Sequence, residues 1–153
     1  MHPPARHRRT PALLLASALA ASLLTASGAL AGALEVGSWK VIAAERAGQP
    51  NPAELDARLS FAGGTLTIVS PEGGNVKFEY TLDRSQEPDQ IDLTRGEGDK
   101  RLTLFGIWKI EGAEADSERF TLCIAEPFSD RPTEFATAAG QRTSLTVHER
   151  TTE

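Results

Sequence analysis

Val76-Lys77-Phe78-Glu79-Tyr80-Thr81-Leu82 alternates apolar and polar side chains without a break. Successive residues of an extended strand point to opposite faces, so this stretch predicts a strand with one face in a core and one in water. The same period recurs outward in both directions, in Thr65-Leu66-Thr67-Ile68 and in Ile91-Asp92-Leu93-Thr94. Leu102, Leu104, Trp108 and Ile110 share one face of a longer run, and Phe120, Leu122 and Ile124 share one face of the next. Leu145 and Val147 mark the last strand; Trp39, Val41 and Ala43 mark the first.

Turn chemistry separates these runs. Gly63-Gly64 divides Leu59-Ser60-Phe61 from Thr65-Leu66, as a tight hairpin would. Pro71-Glu72-Gly73-Gly74-Asn75, Gln86-Glu87-Pro88-Asp89, Gly96-Glu97-Gly98-Asp99 and Glu111-Gly112-Ala113 mark further breaks. Asn51-Pro52-Ala53-Glu54-Leu55-Asp56 reads as one or two helical turns, with Asn51 as N-cap and Pro52 in the first helical position. About eight strands at regular spacing predict an all-β sandwich or barrel, and consecutive hairpins favour a small up-and-down antiparallel β-barrel.

The chain has 153 residues, one domain's length. Residues 1–31 contain no acid; Arg6, Arg8 and Arg9 precede an apolar run from Ala12 to Leu24, and Ala29-Leu30-Ala31 fits a small-x-small cleavage site. That layout predicts a secretory signal peptide over 1–31 and a β-barrel domain over 32–153, exported to the periplasm or the exterior. Cleavage after Ala26 or Ala33, or an uncleaved N-terminal anchor, are the alternatives; the apolar run is short for a membrane span, which takes about 20 residues. Formal net charge is −5 overall, and −8 over residues 32–153, from 13 basic and 21 acidic side chains. Phosphate binding needs clustered Lys and Arg, so nucleic acid is not an expected partner. One Cys leaves no internal disulfide framework, and His148 is the one His beyond residue 31, too few for a zinc site. No cofactor or metal site is read.

Gly37-Ser38-Trp39-Lys40-Val41 looks like the Gly-x-Trp signature that opens the lipocalin barrel, and Arg150 stands where that superfamily places a basic residue against the Trp. More specifically, the chain resembles an uncharacterised family of exported bacterial lipocalin-like proteins. The resemblance rests on that opening together with Ile91-Asp92-Leu93-Thr94, Gly106-Ile107-Trp108, Leu122-Cys123-Ile124-Ala125 and Arg131-Pro132-Thr133-Glu134-Phe135, which occur in order across residues 34–150. It implies a lipocalin-like barrel with Gly37, Trp39 and Arg150 as its structural signature, and it implies no activity. About 120 residues is short for a lipocalin, so a roomy cavity is not implied.

Candidate chemistry is sparse. Cys123 sits in an apolar run as an inert core thiol, although its alternation with Thr121 and Ala125 sets it on the face opposite Leu122. His148, beside Glu149 in the last strand, reads as a surface residue, and no Gly-x-Ser-x-Gly elbow accompanies it; no catalytic residue is assigned and the chain is not read as an enzyme. Glu111, Glu114, Asp116 and Glu118 lack the calcium-loop pattern and read as a solvated hairpin tip. Arg131 reads as half of a structural ion pair. Along residues 102–110, Phe105 and Ile107 make the second face partly apolar, so that face is expected to be covered by another segment, or by a homo-oligomer or envelope partner.

Two functions follow. One is a binding module holding a small apolar ligand against Phe78, Tyr80, Trp108 and Phe120, whose alternation sets them with the core. The other is a structural or protein-interaction module of the cell envelope with a filled, ligand-free barrel. An interior pocket of roughly 300 Å³ or more favours the first.

Overall fold

The computed structural model describes residue 34 and residues 37–112 and 118–151. The expected leader over 1–31, and Glu114 and Asp116 of the acidic run, lie outside the described residues. Nine strands occur among the described residues: β1 (Ser38–Arg46), β2 (Gln49–Pro50), β3 (Arg58–Ala62), β4 (Thr65–Val69), β5 (Asn75–Asp83), β6 (Gln90–Arg95), β7 (Leu102–Glu111), β8 (Arg119–Ala125) and β9 (Thr143–Thr151). Each of β3 to β8 pairs antiparallel with its successor, β3 pairs with β1, and β1 pairs with β9. The result is a closed, up-and-down, lipocalin-like barrel of eight strands. β2 is an extra two-residue strand on the end of β1. No helix among the described residues is long and apolar enough to cross a membrane.

The alternation in Val76–Leu82 folds as expected: Phe78 and Tyr80 are buried while Lys77, Glu79 and Thr81 face water. Two local expectations change. β1 carries a register shift between Val41 and Ala43, so Ala44, not Ala43, turns into the core. Such a bulge inserts one residue and exchanges the faces beyond it. The helical stretch is a single 3-10 turn, Pro52–Glu54, and Asn51 caps no backbone amide. Its Nδ2 instead donates to Glu54 Oε1 at 2.7 Å.

The lower end of the barrel, where β9 finishes and β1 begins, is closed by aromatic rings. Phe120 is the hub: its ring lies 5.4 Å from Trp39, 5.6 Å edge-on from Phe61, 6.4 Å from Trp108 and 4.8 Å stacked on His148. Beneath it the Arg150 guanidinium lies 4.4 Å over Trp39. Gly37 has φ +121°, and a Cβ there would come within 2.6 Å of Arg150 Nη1. Only glycine meets both demands, which gives the Gly-x-Trp opening its physical reason.

Outside the barrel, residues 126–142 run as a belt over β6, β7 and β8. Ile107 is 1% exposed beneath it and Phe105 37%. Of the two covers expected for this face, the structure supplies a segment of the chain itself. Arg131 pins the belt: its Nη1 donates to the carbonyls of Ile91 (3.1 Å) and Gly106 (2.7 Å), and its Nη2 pairs with Asp92 at 2.6 Å. Cys123 lies on the outer face, as its alternation implied, yet the belt buries it, and its thiol donates to Ala136 O at 3.8 Å. Burial pushes that thiol's pKa up to about 11. Arg131→Ala should cost about 2 kcal/mol, since hydrogen bonds to charged groups are the stronger class. It should also make Cys123 react with a thiol reagent under native conditions. An unreactive Cys123 in that variant would mean the belt is held elsewhere.

Candidate functional site

Above the aromatic plug the lumen is not filled. A cavity of about 260 Å³ lies inside the upper half of the barrel. Val41, Ala57, Leu59, Ile68, Leu122 and Ile124 form its apolar walls. Its polar lining is Glu54, from the 3-10 turn at the mouth, with Ser144, Thr146 and His148, three alternate residues of β9. Ser144 and Thr146 of β9 and Ala57 contribute short side chains to this lining.

The last strand therefore sits the other way round from its apolar pattern. Arg150 pairs with Trp39 and His148 with Val41, both core residues, so the even-numbered side chains of β9 face inward. Leu145 and Val147 lie on the outer face. His148, expected at the surface, is 0% exposed. Its Nδ1 lies 2.8 Å from Phe120 O, and because a carbonyl only accepts, Nδ1 carries the proton. Nε2 is then a bare lone pair, buried and without a hydrogen-bond partner among the described residues. Trp39 Nε1 is likewise unpartnered, but Trp39 does not line the cavity.

Burial pushes the His148 pKa down to about 4, against the Phe120 carbonyl, which raises it. The unfolded imidazole titrates near ~6.5. Between these values the unfolded chain holds the extra proton. The His148 contribution is therefore complete above pH ~6.5 and declines as pH falls towards ~4, by about 3 kcal/mol in all. Urea unfolding of the wild type and of His148→Phe across that range isolates it. Two parallel pH profiles would contradict the buried neutral imidazole.

At the mouth, burial raises the Glu54 pKa, opposed by the charge of Arg46 and by hydrogen bonds from Ser144 and Asn51. Glu118 was expected on a solvated tip. It is instead 14% exposed and accepts from Arg150 Nε and Nη2, both at 2.7 Å, while Glu111 pairs with Lys109 at 2.9 Å.

The four side chains expected to meet a ligand all lie in the core, but none lines the cavity. Tyr80 meets Phe61 edge-on at 5.2 Å, and Phe61 and Trp108 both touch Phe120. Phe78 sits apart from these rings, under the Arg95 guanidinium at 5.4 Å. Trp108 Nε1 donates to Gln90 O at 3.2 Å. The residues that do line the cavity were missed because its apolar walls look like any core, and because Ser144, Thr146 and His148 look like a solvent face. The parity of Arg150 held the needed signal: a residue two positions away on a strand shares its face. Comparison of the chain with protein-family models, with curated proteins and with solved structures finds no match.

Proposed function

We propose that this chain is an exported, lipocalin-like binding protein that holds one small apolar molecule in the upper lumen of its barrel. One observation carries the reading: a largely apolar cavity of about 260 Å³ in the upper lumen, walled by Val41, Leu59, Ile68, Leu122 and Ile124. The export reading rests on the leader pattern of residues 1–31.

Size limits the ligand. An apolar cavity of ~150 Å³ admits benzene, so this one takes roughly ten non-hydrogen atoms. That falls short of the roughly 300 Å³ expected above of a binding module, so the reading is confined to ligands smaller than drug-sized ones. At ~0.6 kcal/mol per atom the dissociation constant falls in the tens of micromolar.

Naphthalene has the right size and no polar group. Titrated into the isotope-labelled protein, it should shift the amide and methyl resonances of Leu59, Ile68, Leu122 and Ile124 in a saturable way. Ala57→Phe, which fills the lumen, should abolish those shifts without changing the fold. Absence of saturable binding to the wild type would refute the reading. The envelope-interaction module would then stand, favoured by Phe128, which is 96% exposed on the belt with φ +63°. A large side chain held in that strained region and offered to water is a feature of contact surfaces.

A further inference from the structure

The connection from β5 to β6 lies at the lower end of the barrel. It forms one side of a second pocket, of about 330 Å³, whose other side is the end of β7 together with Phe135 of the belt. This pocket shares no lining residue with the cavity in the lumen. Hydrogen bonds fix the connection at both ends. Asp83 Oδ1 accepts from Ser85 N at 2.9 Å and from Ser85 Oγ at 2.6 Å. Trp108 gives its backbone N–H to Asp89 O at 2.9 Å and its Nε1–H to Gln90 O at 3.2 Å.

Two opposite charges held by this frame line the pocket, and neither has a partner. Among the described residues the half-buried arginines are Arg84, Arg119, Arg131 and Arg150. Arg119 donates to Glu118 O, Arg131 to two carbonyls and Asp92, and Arg150 to Glu118 Oε2. Arg84 donates to no protein oxygen among the described residues; its guanidinium lies 4.9 Å over the Trp108 ring. A ring attracts the charge but supplies no oxygen for its five N–H groups. Asp89 is half-buried as well, and its carboxylate accepts no hydrogen bond and joins no ion pair among the described residues. Burial raises the Asp89 pKa, the Arg84 charge lowers it, and Glu87 and Asp83 raise it further. The two charges thus sense one another across the pocket without closing into a pair, as Arg131 closes on Asp92. Lys109, the other cation of the lining, is committed to Glu111 at 2.9 Å.

This arrangement selects by charge. A simple anion would gain Arg84 but face Asp89 and Glu87. A simple cation would gain the carboxylates but face Arg84. A neutral apolar molecule would take water from both charges and give nothing back, which is costly. A molecule with a carboxylate and an ammonium on one carbon serves both, each through a charge-assisted hydrogen bond. Pro88, Ile110 and Phe135 leave an apolar surface beside the charges for the rest of the molecule. At about 330 Å³ the pocket has the size of small-molecule sites. We propose that it binds a free α-amino acid with an apolar side chain, its carboxylate on Arg84, its ammonium on Asp89 and its side chain against Pro88, Ile110 and Phe135. The site is separate from the lumen and does not depend on the binding function proposed above.

Three probes of one shape test this on the folded chain at pH 7: L-leucine, 4-methylpentanoate, which lacks the amino group, and 3-methylbutylamine, which lacks the carboxylate. In calorimetric titrations leucine should bind at least about tenfold tighter than either singly charged probe, the worth of one charge-assisted hydrogen bond. Arg84→Gln should weaken leucine about tenfold and leave the amine within about twofold of its wild-type affinity. Asp89→Asn should weaken leucine about tenfold and not weaken 4-methylpentanoate. Should Arg84→Gln fail to fold without its stacking on Trp108, the wild type gives a second readout. Leucine should shift the Trp108 indole N–H and the Ile110 methyl resonances and leave those of Leu59 and Ile68 in place.

A singly charged probe that binds as tightly as leucine overturns the proposal. So does leucine that moves Leu59 and Ile68 but not Trp108, which would put it in the lumen. Absence of saturable leucine binding overturns it too, and leaves the naphthalene test of the lumen unaffected.

Discussion

Arg150→Ala should lower the unfolding free energy by about 4 kcal/mol, close to the largest effect available to one substitution outside the apolar core. The Arg150 and Glu118 side chains are 16% and 14% exposed, so their pair is largely desolvated. Removing one partner leaves a carboxylate buried without compensation, which costs about 3–5 kcal/mol. The guanidinium also leaves the face of Trp39, forfeiting roughly 0.5–2 kcal/mol. A folded state worth ~5–15 kcal/mol tolerates this poorly. Urea unfolding at constant slope measures the change. The paired variant Arg150→Met with Glu118→Gln should recover most of the loss, because it removes the stranded charge and keeps the stem over the indole. A paired variant as unstable as Arg150→Ala would show that the stacking on Trp39, not the ion pair, carries the effect.

Phe120→Ala should cost about 3–5 kcal/mol, the range for emptying a large aromatic from a packed interior. Phe120 is fully buried and touches four rings that come from different strands. Its loss would join the lower lumen to the cavity above and leave His148 without the ring on which it stacks. The urea midpoint should fall accordingly. Naphthalene should still enter the enlarged lumen and recover part of the loss by binding only the folded state. A drop under about 1 kcal/mol would mean that the plug collapses inward to fill the space, and that packing at this end is less specific than its geometry suggests.

How much of this was legible beforehand depends on which residues carry polarity. The β5 run from Val76 to Leu82 announces its faces because every other residue is charged, hydroxylic or apolar in turn. In β1, Ile42-Ala43-Ala44 offers three apolar residues in succession, and a one-residue slip among them leaves no trace in the pattern. β9 misleads for a physical reason. Its apolar Leu145 and Val147 lie outside, and its polar Ser144, Thr146 and His148 line a space rather than a packed core. Periodicity reports that two faces differ, not which one looks inward. The Arg150 match to Trp39 could have decided it. The belt has no period at all, so its shape was not readable; that the face is covered, by a segment or by a partner, was, because Phe105 and Ile107 gave β7 a second apolar face that water alone would not suit.

The closure of the barrel bears on how the chain reaches this state. Seven of its eight ladders join strands that are successive in the barrel's meander, and one joins Ser38 near the beginning to Thr151 near the end. Hairpin ladders form with little loss of chain freedom, whereas the β1–β9 seam must bring distant segments together before it gains anything. That seam is therefore the pairing that costs the chain most conformational freedom. Until it zips, β1 and β9 are two open edges able to pair with another molecule's edges instead of with each other. Trp39 and Arg150 face one another across the seam, so the contact that seals the finished barrel also commits the chain to pairing with itself.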